Sequence, residues 1–231
     1  MVRLISEKAM YVYLFIILLF MWLSFDPVIA AVYGFMLVFD LGLFLLYGDE
    51  LKYKINGVLN NTLESFLVAM VATGIFLGVS YILSFFLNSL AQLSTGSFTG
   101  FVQAYLTTFS ETTPIFSGNK ILTFIAYAVL IALLETRLIF GRLFDLALSS
   151  TDTQTSSLKS AKLWFIILII AALFTYLHVN VRGLTNNAGL LGTFIFGVMS
   201  LILVFKRKEL ESAIQFHMIW NGMITYQQLY R

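Results

Sequence analysis

Long apolar runs, separated by shorter polar segments, dominate the pattern of hydrophobic and polar positions along this chain. A helix needs about 20 residues to cross the hydrocarbon layer of a bilayer, because it rises about 1.5 Å per residue through about 30 Å. The runs predict an all-α, polytopic membrane helix bundle with about seven transmembrane helices, the last of them short and more polar. The predicted spans are Met10 to Phe25, Val28 to Tyr47, Leu63 to Leu87, Ile121 to Leu148, Leu163 to His178, Ala188 to Phe205 and Ala213 to Gln228.

The composition favours a surface that faces lipid. Of the 231 residues, 59% are hydrophobic and 11% are charged, whereas a soluble domain of this size needs a larger charged surface. The formal net charge of +2 is too small to indicate nucleic-acid binding, and the absence of cysteine excludes disulfides and thiolate sites. We therefore expect the lipid bilayer as a partner, and no nucleic acid.

Basic residues are distributed unevenly between the two sides of the seven-helix prediction. Because cytoplasmic loops carry the excess of lysine and arginine, the side with more of them is expected to be cytoplasmic, and it includes the N-terminus. The residues on that side are Arg3, Lys8, Lys52, Lys54, Lys159, Lys162, Lys206, Arg207 and Lys208, against Lys120, Arg182 and Arg231 on the other.

Two connections between the spans are unusual. The segment from Ser149 to Ser160 is polar and low in complexity, which predicts a mobile cytoplasmic loop. The segment from Asn88 to Asn119 contains FVQAYLTTF, which favours a short interfacial helix and an ordinary long loop about equally. If the stretch from Phe98 to Phe109 crosses the bilayer instead, the predicted orientation reverses downstream of it.

The fourth predicted span contains charged residues in the sequence IALLETRLIFGRLF. A charged side chain at the bilayer centre costs about 2.5 to 3.5 kcal/mol on insertion scales, so Glu135 is expected to face the bundle interior and to have a partner. In a regular α-helix Arg142, seven positions later, shares the face of Glu135, whereas Arg137 points elsewhere. A purely structural ion pair is the alternative to a functional carboxylate.

The chain contains two histidines, and each lies in a predicted span beside another informative residue. His178 follows Phe174 by one helical turn in FTYLH, and His217 precedes Asn221 by one turn in HMIWN. Together with Glu135, they predict one polar site inside the bundle.

The segments ETRLIFGRLF, FTYLH and HMIWN resemble, in order, the three motifs EExxxR, FxxxH and HxxxN of the CAAX-protease and bacteriocin-processing (CPBP) family of intramembrane proteases. The resemblance covers about residues 121 to 226 and includes the basic turn KRKELES before the last motif. It implies residues 121–231 as a catalytic core, preceded by N-terminal helices and an extracytoplasmic loop in 1–120, within a single membrane domain. It also implies Glu135, His178, His217 and Asn221 as catalytic residues, with Phe174 in support.

The first motif departs from the family pattern at two positions. Thr136 stands where the family has its second glutamate, and Phe140 stands where it has its arginine. On the regular-helix spacing, Arg142 is the supporting residue expected to take over the arginine's work.

The resemblance implies hydrolysis of a peptide bond in a membrane-associated peptide or protein. A desolvated glutamate can act as a general base, with His178 holding the water or moving its proton. His217 and Asn221 can donate hydrogen bonds to the developing oxyanion. Glu135, His178 and His217 are also a sufficient ligand set for zinc, although no HExxH motif is present, so a metal-dependent mechanism remains open. A catalytically inactive membrane scaffold and a proton-coupled transporter remain as other functions.

Overall fold

The computed structural model describes residues 62–87, 96–110, 120–149, 160–179 and 185–230, with a few single positions elsewhere. These residues are helical and contain no strand, which confirms the all-α prediction for the described part of the chain. The predicted span Met10 to Phe25, nearly all of Val28 to Tyr47 and most of the loop from Ser149 to Ser160 lie outside the described residues. So do the basic residues Arg3, Lys8, Lys52, Lys54, Lys159, Arg182 and Arg231.

Six helices contain most of the described residues. They are α1 (Thr62–Ser84), α2 (Phe98–Ser110), α3, α4 (Ala161–Leu177), α5 (Asn187–Arg207) and α6 (Glu211–Leu229). Helix α3 joins five consecutive segments, Lys120–Phe124, Ile125–Ile131, Ala132–Glu135, Thr136–Leu143 and Phe144–Ser149, of which the second and fourth are π-helical.

Every predicted span from Leu63 onward corresponds to one of these helices. Leu63–Ser84 and Asn187–Arg207 are long and apolar enough to cross a membrane, and Ala161–Leu177 is a shorter apolar helix. The number of seven transmembrane helices stays a prediction.

Helix α1 has the pattern of a helix that exposes apolar side chains and buries polar ones. Its buried face repeats every three or four residues through Ser65, Ala69, Thr73, Phe76 and Ser80. Its exposed positions carry large apolar side chains, namely Leu63, Phe66, Leu67, Met70, Val71, Ile75, Val79 and Ile82. Such a surface is favourable in lipid and unfavourable in water.

Contacts at different heights fix the relative directions of the helices. Ser65 of α1 contacts Glu209 just before α6, and Phe76 packs against Trp220 with ring centroids 4.8 Å apart, so α1 and α6 run parallel. Helices α4 and α5 are antiparallel, because Gly197 approaches Ala171 while Phe196 approaches Phe174. The absence of a side chain at Gly197 lets these two backbones come close together.

Helix α2 confirms the helical alternative for the segment around FVQAYLTTF. Its 13 residues span about 20 Å, which is too short to cross the hydrocarbon layer. Phe101, Tyr105 and Phe109 are buried on one face, and the Tyr105 ring packs against Gly192 of α5. The interfacial position of α2 stays a prediction.

The turn between α5 and α6 is buried apart from the exposed Lys208. Glu209, Leu210, Glu211 and Ser212 are all at most 7% accessible. The Glu209 carboxylate accepts hydrogen bonds from Arg207 Nε at 3.0 Å and Ser212 Oγ at 2.7 Å, and Arg207 also pairs with the Glu64 carboxylate at 2.7 Å. These contacts fasten the start of α6 to the start of α1.

Candidate active site

Glu135 is buried in the middle of α3, with 4% of its surface accessible. It is the last residue of the α-helical segment Ala132–Glu135, and the π-helical segment Thr136–Leu143 begins directly after it. π-Helical turns are rare and occur frequently at functional sites, because they change the direction of the side chains that follow. The sequence prediction assumed a regular α-helix here, which is incorrect for residues 136–143.

Two histidines from two other helices meet the Glu135 carboxylate. His178 Nε2, at the end of α4, lies 3.7 Å from Glu135 Oε2. His217 Nε2, on α6, lies 3.4 Å from the same oxygen. The structure therefore brings three of the four predicted catalytic residues to one point, although they are far apart in the sequence. Their catalytic roles stay predictions.

The end of α4 determines which nitrogen of His178 carries a proton. The last turn tightens, so that the His178 backbone N–H donates to the Thr175 carbonyl at 3.0 Å. The Phe174 carbonyl then accepts a hydrogen bond from His178 Nδ1 at 2.8 Å. Because a carbonyl oxygen can only accept, Nδ1 is the protonated nitrogen, and in the neutral ring Nε2 presents a lone pair towards Glu135.

His217 is held from its other side by Thr136, the residue that replaces the second glutamate of the family motif. Thr136 Oγ1 lies 3.0 Å from His217 Nδ1, and both side chains are buried. From the sequence, Thr136 was interpreted only as a departure from the family motif. Its position directly after Glu135 and its hydroxyl group were the only signals of a role in the site.

Aromatic rings surround the two histidines. Phe174 lies 4.4 Å from the His178 ring, and Phe196 lies 4.8 Å from the His217 ring, measured between centroids. Phe140, which occupies the position of the family arginine, packs 4.8 Å from Phe174 and 6.5 Å from His217. Phe140 therefore forms part of the apolar wall around the two histidines, where low polarity strengthens electrostatic interactions.

Asn221 lies one turn beyond His217 on α6, as predicted. Its side-chain Nδ2 donates a hydrogen bond to the Tyr127 carbonyl at 3.0 Å. Tyr127 belongs to the first π-helical segment of α3, Ile125–Ile131. This bond joins α6 to α3 on the far side of His217 from the α5–α6 turn, and a contact of Asn221 with substrate stays a prediction.

Arg137 and Arg142 are both buried in α3, at 0% and 4% accessibility. The expectation that their side chains point in different directions was based on α-helical spacing. Both arginines lie in a π-helical segment, so this spacing does not apply to them. The pairing of Arg142 with Glu135 stays a prediction. Among the described contacts of the Glu135 carboxylate are those with the two histidine rings.

Glu135 and His217 meet although they lie at different distances along their helices from the side predicted to be cytoplasmic. Glu135 lies about 20 Å from the end of α3 at Ser149, whereas His217 lies only about 9 Å from the start of α6 at Glu211. Helix α6 begins two residues earlier than predicted, but this shift alone is too small to account for the difference between these two distances. The first residues of α6 are also buried against other helices, with Glu211 at 7% and Ser212 at 0% accessibility.

In the described part of the chain, no group of three or more His, Cys, Asp or Glu side chains is arranged to hold a metal ion. Zinc binding by Glu135, His178 and His217 stays an untested alternative. The two short distances at Glu135 Oε2 instead suit a shared water, because atoms 3.4 to 3.7 Å apart can both hydrogen-bond to one oxygen at about 2.8 Å.

Comparison with known families agrees with this arrangement. Residues 117–223, just under half of the chain, match the family model described as type II CAAX prenyl endopeptidase Rce1-like. The match contains Glu135, His178, His217 and Asn221. This part of the chain is therefore similar to the CPBP family of proteases, the family that its motifs resemble. The comparisons with curated proteins and with solved structures give no match.

Proposed function

We propose that this protein is an intramembrane endopeptidase of the CPBP type, which hydrolyses peptide bonds of membrane-associated substrates with a water activated by Glu135 and His178. The observation that carries the proposal is the meeting of Glu135 Oε2 with His178 Nε2 at 3.7 Å and His217 Nε2 at 3.4 Å in a buried site. The match of residues 117–223 to the model of a protease family supports it.

The nucleophilic water is held by two acceptors. An ionised Glu135 carboxylate and the Nε2 lone pair of neutral His178 each accept one hydrogen bond from it, which directs a water lone pair towards the scissile carbonyl. As the oxygen–carbon bond forms, one water proton moves to Glu135 or His178. The same group then gives a proton to the leaving nitrogen as the carbon–nitrogen bond breaks, so that the site returns to its starting state.

The negative charge that develops on the carbonyl oxygen requires donors from the opposite side. His217 Nε2–H is suited to this role, because its ring is fixed by neighbours on both nitrogens. Removing one such donor from an enzyme commonly costs a factor of about 100 to 1,000 in rate. Asn221 holds α6 against α3 through Tyr127, and its second amide hydrogen is the further donor that we propose.

The membrane arrangement is part of the proposal. The parallel course of α1 and α6, and the antiparallel course of α4 and α5, support alternating crossings from Leu63 onward, with α2 not crossing. Together with the excess of basic residues on the side of Lys206 and Lys208, this supports a multi-pass protein whose N-terminus is cytoplasmic. The substrates are then membrane-associated proteins cleaved near the cytoplasmic face, and the family description makes prenylated C-terminal peptides the first class to test.

One observation favours an inactive membrane scaffold as the second candidate. Phe140 is fully buried at the position of the family arginine, so an apolar ring stands where the family has a cation. An inactive relative would keep the helix packing and lose the chemistry.

The experiment that separates the two candidates uses purified protein reconstituted into lipid vesicles. Farnesylated and unmodified CAAX peptides, and membrane proteins of the source organism, are incubated with wild type and with Glu135→Gln, and new termini are identified by mass spectrometry. Glu64→Gln is the matched control, because Glu64 is an exposed glutamate outside the site. Cleavage by wild type and the control but not by Glu135→Gln supports the protease. Identical products from all three, or none from any, supports the scaffold.

A further inference from the structure

Thr136 and His217 form a buried contact between two helices that the family motif does not provide. Thr136 is 0% accessible and His217 is 2% accessible. The Thr136 hydroxyl lies 3.0 Å from His217 Nδ1, which is a normal hydrogen-bond distance, and it faces the nitrogen opposite to the one that meets Glu135.

The surroundings of the ring decide which nitrogen of neutral His217 is protonated. An ionised Glu135 carboxylate can only accept, so a proton on His217 Nε2 at 3.4 Å is favoured. Nδ1 is then an acceptor. A threonine hydroxyl can donate to it, whereas a glutamate carboxylate at position 136 could only accept and would favour the proton on Nδ1 instead. His178 differs because its Nδ1 faces a carbonyl, which needs a donor, whereas His217 Nδ1 faces a hydroxyl, which can itself donate.

We propose that Thr136 is a positioning residue that holds His217 as its Nε2–H tautomer. The two histidines of the site then have opposite tautomers. His178 carries its proton on Nδ1, bound to the Phe174 carbonyl, and His217 carries its proton on Nε2, directed to the reacting atoms. The threonine thus specifies a donor at His217, and its presence in place of glutamate is a functional substitution. The consequence for catalysis rests on the proposed function, but the tautomer does not.

Nitrogen NMR of the histidine side chains tests the tautomer directly. The chain has only two histidines, so protein labelled with ¹⁵N-histidine and reconstituted in lipid gives two rings, which a His178→Ala variant assigns. We expect a protonated Nε2 and an unprotonated Nδ1 for His217 in wild type and in Thr136→Ser. In Thr136→Val we expect the Nδ1 resonance of His217 to move, because this nitrogen loses its hydrogen-bond donor, and in Thr136→Glu we expect the proton to shift to Nδ1.

Thr193→Val is the matched control for the loss of a buried hydroxyl. Thr193 is similarly buried at 4% accessibility, but its hydroxyl bonds to the Gly189 carbonyl of its own helix at 2.8 Å. It should leave the His217 spectrum unchanged. A wild-type His217 protonated on Nδ1 alone would overturn the proposal, as would a Thr136→Val spectrum identical to that of wild type. If Thr136→Val does not fold, the tautomer of His217 in wild type still tests the proposal.

Kinetics test the consequence separately. Thr136→Val should lower kcat by about 10- to 100-fold with KM within about twofold, while Thr136→Ser and Thr193→Val retain activity. Unchanged kcat in Thr136→Val would overturn the positioning role. If wild type cleaves no substrate, the proposed function fails, and the NMR result alone then decides whether Thr136 sets the tautomer.

Discussion

The Nδ1 atom of His178 donates a hydrogen bond of 2.8 Å to the backbone carbonyl of Phe174, one turn earlier in the same helix. This contact gives a physical reason for the spacing of the FxxxH motif. At the end of the helix the Phe174 carbonyl is available to accept a hydrogen bond from the His178 side chain. This bond orients the imidazole ring so that its Nε2 faces Glu135. The Phe174 side chain packs on the same ring, so the backbone and the side chain of one residue both act on His178.

The backbone contact predicts that substitutions of Phe174 and His178 differ in severity. Phe174→Leu keeps the carbonyl and loses only ring packing, so we expect a fall in kcat of less than about tenfold. His178→Ala removes the acceptor for the water, and we expect a loss of about 100-fold or more. Initial rates of peptide cleavage measure both. Equal losses in the two variants would show that the Phe174 ring, not its carbonyl, determines the position of His178.

The close approach of α2 and α5 gives a prediction about stability. A methyl group added at Gly192 would lie 2.7 Å from Phe109 Cζ and would overlap the Tyr105 hydroxyl, so Gly192→Ala should destabilise the fold by about 1 to 3 kcal/mol. Gly78→Ala is the control, because nothing lies within 4 Å of its added Cβ. It should be neutral or stabilising by up to about 1 kcal/mol. Thermal unfolding in detergent measures both, and an unchanged Tm for Gly192→Ala would contradict the described packing.

The two buried arginines of α3 give a third prediction. Arg142→Ala is expected to lower activity or bundle stability more than Arg137→Ala, if Arg142 neutralises Glu135. The expected order of the two arginines was based on α-helical spacing, which does not hold in the π-helical segment. The experiment therefore determines whether Arg142 pairs with Glu135. Lys206→Ala serves as the exposed control. Equal, negligible effects of both arginine substitutions would show that the two histidines alone satisfy Glu135.

Metal dependence is tested by removal and restoration. We expect cleavage to persist after treatment with a chelator, and added zinc to give no increase, because the proposed mechanism uses side chains and water alone. Loss of activity on chelation, with recovery on adding zinc back, would instead assign Glu135, His178 and His217 as zinc ligands. Glu64→Gln protein treated in the same way controls for effects of the chelator on the vesicles.

Much of the fold and the positions of the site residues could be predicted from the sequence. Long apolar runs gave the helices from Leu63 onward, because a bilayer imposes one length and one polarity on every crossing segment. The cost of burying a charge made Glu135 conspicuous, and the spacing of His178 from Phe174 and of His217 from Asn221 indicated helix faces.

The remaining features depend on contacts between helices, which cannot be predicted from the spacing of residues along one helix. The π-helical segment after Glu135 changes the side-chain directions that seven-residue spacing predicts for Arg142. The burial of Glu209 and Glu211 beside the basic residues Lys206 to Lys208 depends on packing against other helices, such as the contact of Glu209 with Ser65 of α1. The role of Thr136 depends on a partner 81 positions away.

The central claim is that Glu135 and His178 act together on one water. The most direct measurement is kcat/KM for Glu135→Gln, His178→Gln and the double variant, in vesicles, with a substrate that wild type cleaves. Residues that act as a unit are not additive, so we predict that each single variant loses about 100- to 10,000-fold and that the double variant loses little more than the worse single one. Wild-type cleavage by Glu135→Gln, or losses that multiply in the double variant, would contradict the account.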